Sequence, residues 1–60
     1  MKIDNVKALQ AIRVIEAVAN GRKVRYSVVP DAKFRVYNLN TLFTYDLDRI
    51  SKFEIEEYDE

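Results

Sequence analysis

The chain has 60 residues, ten basic and ten acidic, with no His, no Cys, one Gly and one Pro, and 48% of its residues are hydrophobic. That length allows one domain, residues 1–60, with a thin core that hides ~60% of the unfolded surface. The missing Cys and His exclude disulfides and the common zinc sites that brace small folds, which leaves oligomerisation as the remaining staple.

Asp4 or Asn5 can cap a helix, and Val6 to Ala19 contains no Gly or Pro, so a helix is predicted there. Asn20-Gly21 then stops it, with Gly21 as the C′ residue of a Schellman or αL motif. Lys7, Gln10, Arg13 and Glu16 recur every third position, so the polar stripe drifts by about 60° per step and spirals around the helix. Ala8, Ala11, Ile12, Ile15, Val18 and Ala19 make the broadest apolar face, and Val6, Leu9 and Val14 fall outside it. A thin sheet covers one face of a helix, so the surplus is expected to meet a second copy of the chain. Leu9, Val14, Ile15 and Val18 are the expected oligomer interface. The alternative is that these flanks touch the domain's own loops or stay singly exposed.

Val24, Tyr26 and Val28 alternate with Lys23, Arg25 and Ser27, which predicts a strand with one buried face. Pro30-Asp31 suits a type I turn between Val29 and Ala32. A hairpin follows, with Phe34 and Val36 on one face and Arg35 and Tyr37 on the other. Asn38-Leu39-Asn40 reads as a second turn and Leu42-Phe43-Thr44-Tyr45 as a third short strand. Asp46 to Ser51 reads as one helical turn with Leu47 and Ile50 facing inward, and Lys52 to Glu56 as the last strand, with Phe53 and Ile55 inside. The acidic end, residues 56–60, is expected to fray. The order predicts an α+β domain, one N-terminal helix packed on a small antiparallel sheet of three to four strands, with no internal repeat.

Without His or Cys the usual acid-base and nucleophile pairs cannot be assembled, so no catalytic residue, cofactor or metal site is expected. Asp46 and Asp48 have the spacing that opens a hard-cation loop, but the further oxygen ligands and the Gly are missing, so one of them is expected to cap the following turn. Gly21 belongs to no phosphate-loop motif, since those need more glycines. The charges are partitioned: residues 1–37 hold eight bases against three acids, and residues 38–60 hold two bases against seven acids. Such a dipole can bind an anion or close on itself. Within the basic cluster of Arg22, Lys23, Arg25, Lys33 and Arg35, the residues Lys23, Arg25 and Arg35 with Tyr26 and Tyr37 are candidate ligand-binding residues, because Arg offers a planar fork for phosphate oxygens and Tyr stacks on a base. The plainer alternative is cross-strand pairing of these bases with Glu54 and Glu56. A long nucleic acid is disfavoured, since a neutral chain lacks the excess of phosphate contacts that such binding needs.

No apolar run approaches the ~18 residues of a membrane span, and Met1-Lys2-Ile3-Asp4-Asn5 lacks the order of a signal peptide. A soluble, cytoplasmic protein is expected. With Gly21-Arg22-Lys23-Val24-Arg25 directly after an apolar helix, and Asp46-Leu47 leading to Phe53-Glu54 at the close, the chain resembles small phage-encoded proteins of the anti-Thoeris sponge family. That resemblance implies a homo-oligomer that sequesters a nucleotide-derived immune signal in pockets between subunits, silencing a host defence without catalysis, in the host-cell cytoplasm. Two alternatives stand beside it: a phage inhibitor that binds a host protein directly, and a nucleic-acid-binding accessory protein. The chain departs from the family where Val28 and Val29 stand in place of a Trp and where Phe53 replaces the closing Trp; Tyr26 and Tyr37 could supply the stacking instead.

Overall fold

The computed structural model describes residues 4–57. In chain order these form α1 (Asn5–Ala19), β1 (Lys23–Tyr26), β2 (Arg35–Val36), α2 (Leu39–Leu42), α3 (Leu47–Ile50) and β3 (Phe53–Ile55). The fold is α+β: α1 packs on a three-stranded antiparallel sheet of order β2-β1-β3. No helix among the described residues is long and apolar enough to cross a membrane. Of the acidic stretch expected to fray, Tyr58, Asp59 and Glu60 lie outside the described residues, while the Glu56 N–H donates to the Lys23 carbonyl at 2.9 Å and prolongs the β1–β3 pairing.

Both ends of α1 follow from local chemistry. Asp4 is the N-cap, its carboxylate accepting from the Lys7 N–H at 2.8 Å. At the other end Gly21 takes φ +77°, the Arg22 N–H donates to the Ala17 carbonyl at 2.9 Å, and the Gly21 N–H donates to the Val18 carbonyl at 3.0 Å. This pair of bonds is the Schellman motif, and it turns the chain directly into β1.

The buried arc of α1 is rotated from the broadest apolar face of the sequence. Ala11, Val14, Ala17 and Val18 are buried, whereas Ile12 is 56% exposed and Ala19 is also at the surface. The cause is that α1 packs against α3 as well as the sheet, so the arc centred on Val18, which includes Val14, turns inward. Two residues expected at an oligomer interface, Val14 and Val18, therefore sit in the chain's own core. Ile15 is half-buried against that core, and Leu9 is exposed.

Further expectations need correction. The β1 strand ends at Tyr26, and Val28 is exposed on a turn closed by the Val29 N–H donating to the Tyr26 carbonyl at 3.1 Å. The Pro30-Asp31 turn then forms as read, with the Ala32 N–H donating to the Val29 carbonyl at 3.1 Å. Leu42–Tyr45 is not a strand. Asn38 instead caps α2, its side chain accepting from the Thr41 N–H at 2.7 Å, and Leu42 closes that helix fully buried. In α3, Ile50 is buried as expected but Leu47 is half exposed, and Asp46 is the cap, accepting from the Arg49 N–H at 2.9 Å.

These two short helices share a local plan that the sequence reading passed over. Tyr37-Asn38-Leu39-Asn40-Thr41-Leu42 and Tyr45-Asp46-Leu47-Asp48-Arg49-Ile50 have the same form: a tyrosine, an Asn or Asp cap, and an aliphatic residue four positions after the cap. That spacing is the hydrophobic staple, in which the residue before the cap packs towards the fourth helical position. Leu42 and Ile50 are each almost wholly buried, and Tyr37 and Tyr45 both pack against the same core.

The charge partition closes on itself within the fold. Lys7 reaches Asp48 at 2.9 Å and Arg25 reaches Glu54 at 3.0 Å, each joining a base of the first stretch to an acid of the second. The hydrogen bond from Lys7, then the charges of Lys52 and Lys7, hold the Asp48 carboxyl below its usual range, and the same Asp48 partner raises Lys7. The Asp48 contribution to stability is thus full above the ordinary carboxylate range and is lost as pH falls through its lowered folded value. The Lys7 contribution is full below the ordinary lysine range and is lost as pH rises through its raised folded value. Both groups are well exposed, so the effect is small and screened by salt. Denaturant melts at low ionic strength should show a shallower loss of stability on acidification in Asp48→Asn than in the parent chain; identical slopes would show that the pair adds nothing.

Candidate functional site

The pairing register decides which of the basic and aromatic residues meet. Val24 opposes Arg35, and Tyr26 opposes Phe53, and directly opposed residues of antiparallel strands share a face. Val24, Tyr26, Arg35, Phe53 and Ile55 therefore point to the side of the sheet that packs on α1, with Tyr37 on that side by alternation. Lys23 and Arg25 point to the other side. The five expected ligand-binding residues are thus split: Tyr26, Arg35 and Tyr37 converge, while Lys23 and Arg25 do not join them.

On the outer side, Arg25 is occupied by its own neighbours. Its guanidinium pairs with Glu54, its directly opposed partner on β3, and lies 5.0 Å from the centroid of the Phe34 ring. This is the plainer alternative, realised at that residue. Glu56 does not repeat it with its carboxylate; its carbonyl accepts from Arg22 at 2.9 Å.

On the inner side the convergent residues line a shallow groove of about 380 Å³, walled by Tyr26, Val29, Ala32, Lys33, Arg35, Tyr37 and Tyr45. Its floor is aromatic and ordered by one residue. Phe53, 7% exposed, meets Tyr26 at 5.2 Å, Tyr37 at 5.4 Å and Tyr45 at 5.1 Å between ring centroids, the last two edge-on. Tyr26 and Tyr45 are themselves 5.5 Å apart. Arg35 lies over one of these rings, its Cζ 4.6 Å from the Tyr37 centroid, and its Nη2 donates to the Tyr37 hydroxyl at 3.2 Å.

Two members of this groove, Lys33 and Tyr45, were not singled out from sequence as ligand-binding residues. Tyr45 carried a usable signal, since it stands before an Asp cap and four residues beyond that cap comes Ile50, which places it inward. Lys33 sits two residues before Arg35, hence on the same rim. The lining carries two positive side chains and no carboxylate, so its field favours an anion. Its tyrosines offer ring faces and hydroxyls, groups that hold and orient a flat ligand, and none of its side chains pairs a nucleophile with a base.

Comparison with known protein families, with curated proteins and with solved structures gave no match to this chain in any of the three.

Proposed function

We propose that this chain is a non-catalytic binding protein that captures a small nucleotide-derived anion in the tyrosine-lined groove. The observation that carries the reading is the placement of the Arg35 guanidinium over the Tyr37 ring, beside Lys33 and above a ring floor ordered by Phe53. A guanidinium supported on a ring is held in one orientation and still offers its remaining N–H donors and its outward plane, which suits phosphate oxygens and a stacked base. Sequestration of an immune signal, as the resemblance to anti-Thoeris sponge proteins implies for a phage-encoded protein, is the biological form of this activity.

A homo-oligomer belongs to the same reading, through a corrected surface. Val6, Leu9 and Ile12, 65%, 56% and 56% exposed, occupy the side of α1 turned away from the sheet. An antiparallel pairing of two copies sets Leu9 against Ile12 and brings Glu16 to the positive N-terminal end of the partner helix. The zero net charge of the chain removes long-range repulsion between copies.

Thermal-shift titration with cyclic nucleotides and cyclic ADP-ribose isomers tests the binding. An upward shift is expected in the parent chain and in Arg25→Ala, and loss of that shift in Arg35→Ala, because the two arginines lie on opposite faces. Flat melting curves across the ligand panel, or equal sensitivity to both substitutions, would remove this function.

A further inference from the structure

The groove on the inner sheet face also carries information about how much ligand it can take. Its volume, about 380 Å³, is at the small end of the ~300–1,000 Å³ range of small-molecule clefts. It presents two positive charges, Lys33 and Arg35, set two residues apart on one strand-side rim, with no acid in the lining. It also presents two different kinds of cation. Arg35 lies over Tyr37 and donates to its hydroxyl, so its charge sits on a planar group with a ring partner, whereas Lys33 is an exposed point charge that forms no ion pair with the acids of the described residues.

We infer that the groove accommodates one nucleoside monophosphate unit, with the base stacked on the outward plane of Arg35 and the phosphate neutralised chiefly by Lys33. This deepens the anion-binding reading above and rests on it. A phosphate monoester carries nearly two negative charges at neutral pH, which matches the two cations of the rim. A triphosphate would bring charge with no counterpart in the lining, and a cyclic dinucleotide, whose two phosphodiesters together carry about the same charge as one monoester, would bring a second base with no second arginine plane to meet it. Inorganic phosphate would match the charge but leave the Arg35 plane unused. The tyrosine hydroxyls at Tyr26 and Tyr45 serve as donors and acceptors for the sugar or base edge, a role that needs no further charge.

Isothermal titration of the full chain with AMP, adenosine, inorganic phosphate, ATP and cyclic di-AMP distinguishes these cases. AMP should bind at least ~tenfold more tightly than each of the others. Arg35→Lys, which keeps the charge and loses the plane, should weaken AMP about tenfold and leave any residual phosphate binding unchanged. Lys33→Gln should weaken AMP about tenfold and leave adenosine unchanged. Tighter binding of cyclic di-AMP or ATP than of AMP, or an Arg35→Lys variant indistinguishable from the parent, would overturn the single-unit inference while leaving an anion groove standing. No heat from any of the five ligands would overturn the anion groove as well. Circular dichroism of both variants should match the parent chain, since both side chains are at the surface.

Discussion

Phe53→Ala is expected to abolish cooperative thermal unfolding, leaving a circular dichroism trace that declines without a midpoint. A folded domain of this length has a total stability of roughly 3–9 kcal/mol, at ~0.05–0.15 kcal/mol per residue. Truncating a buried Phe to Ala typically removes about 3–5 kcal/mol through lost transfer energy and the cavity left behind. Here the cavity would be hard to close, because Phe53 is the ring on which Tyr26, Tyr37 and Tyr45 all rest, and these hang from β1 and from the approaches to two different helices. Three groups would lose their support in one step. A sharp melt within a few degrees of the parent would show that the tyrosines repack without it and that Phe53 is not the hub of the core.

The second large effect separates two residues that look alike in the sequence. Val14→Asp should leave the chain unfolded, because Val14 is 2% exposed between α1 and the rest of the core, and an uncompensated buried charge costs about 3–5 kcal/mol. Leu9→Asp should leave the fold within ~0.5 kcal/mol of the parent, since Leu9 is more than half exposed. In light scattering the parent should be an oligomer if the proposed association holds, and Leu9→Asp a monomer. The pair of variants therefore reports on two different things, the core and the proposed association surface. A Leu9→Asp chain that stays multimeric would show that copies meet elsewhere, and a well-folded Val14→Asp chain would contradict the inward placement of that residue.

The elements legible in the sequence are those decided by a few neighbouring residues. Asp4, Asn20 and Gly21 mark the limits of α1 through bonds to residues no more than five positions away, and Phe53-Glu54-Ile55 alternates as a strand must. The faces of α1 were misread because periodicity ranks apolar arcs but does not say from which sides neighbours approach, and α3 approaches from a second side. The stretch Leu42–Tyr45 was misread because four apolar and β-prone residues satisfy either period, and the deciding bond, from Thr41 to the Asn38 side chain, lies upstream of them. The candidate site was half legible for a related reason. That basic and aromatic residues share these strands is visible directly, but whether Arg25 and Arg35 share a face turns on the pairing register, Val24 opposite Arg35, and a one-residue slip in it moves a side chain across the sheet.

The separation of charge along the chain, closed in the fold by Lys7 with Asp48 and Arg25 with Glu54, has a consequence for how the molecule is put together. Divided between Tyr37 and Asn38, it comprises a cationic piece bearing α1, β1 and β2 and an anionic piece bearing α2, α3 and β3. The second inserts its strand beside β1 and supplies Leu42, Ile50 and Phe53 to the interior of the first. Physically the protein resembles two oppositely charged pieces on one covalent tether, and its neutrality is the sum of their opposite charges.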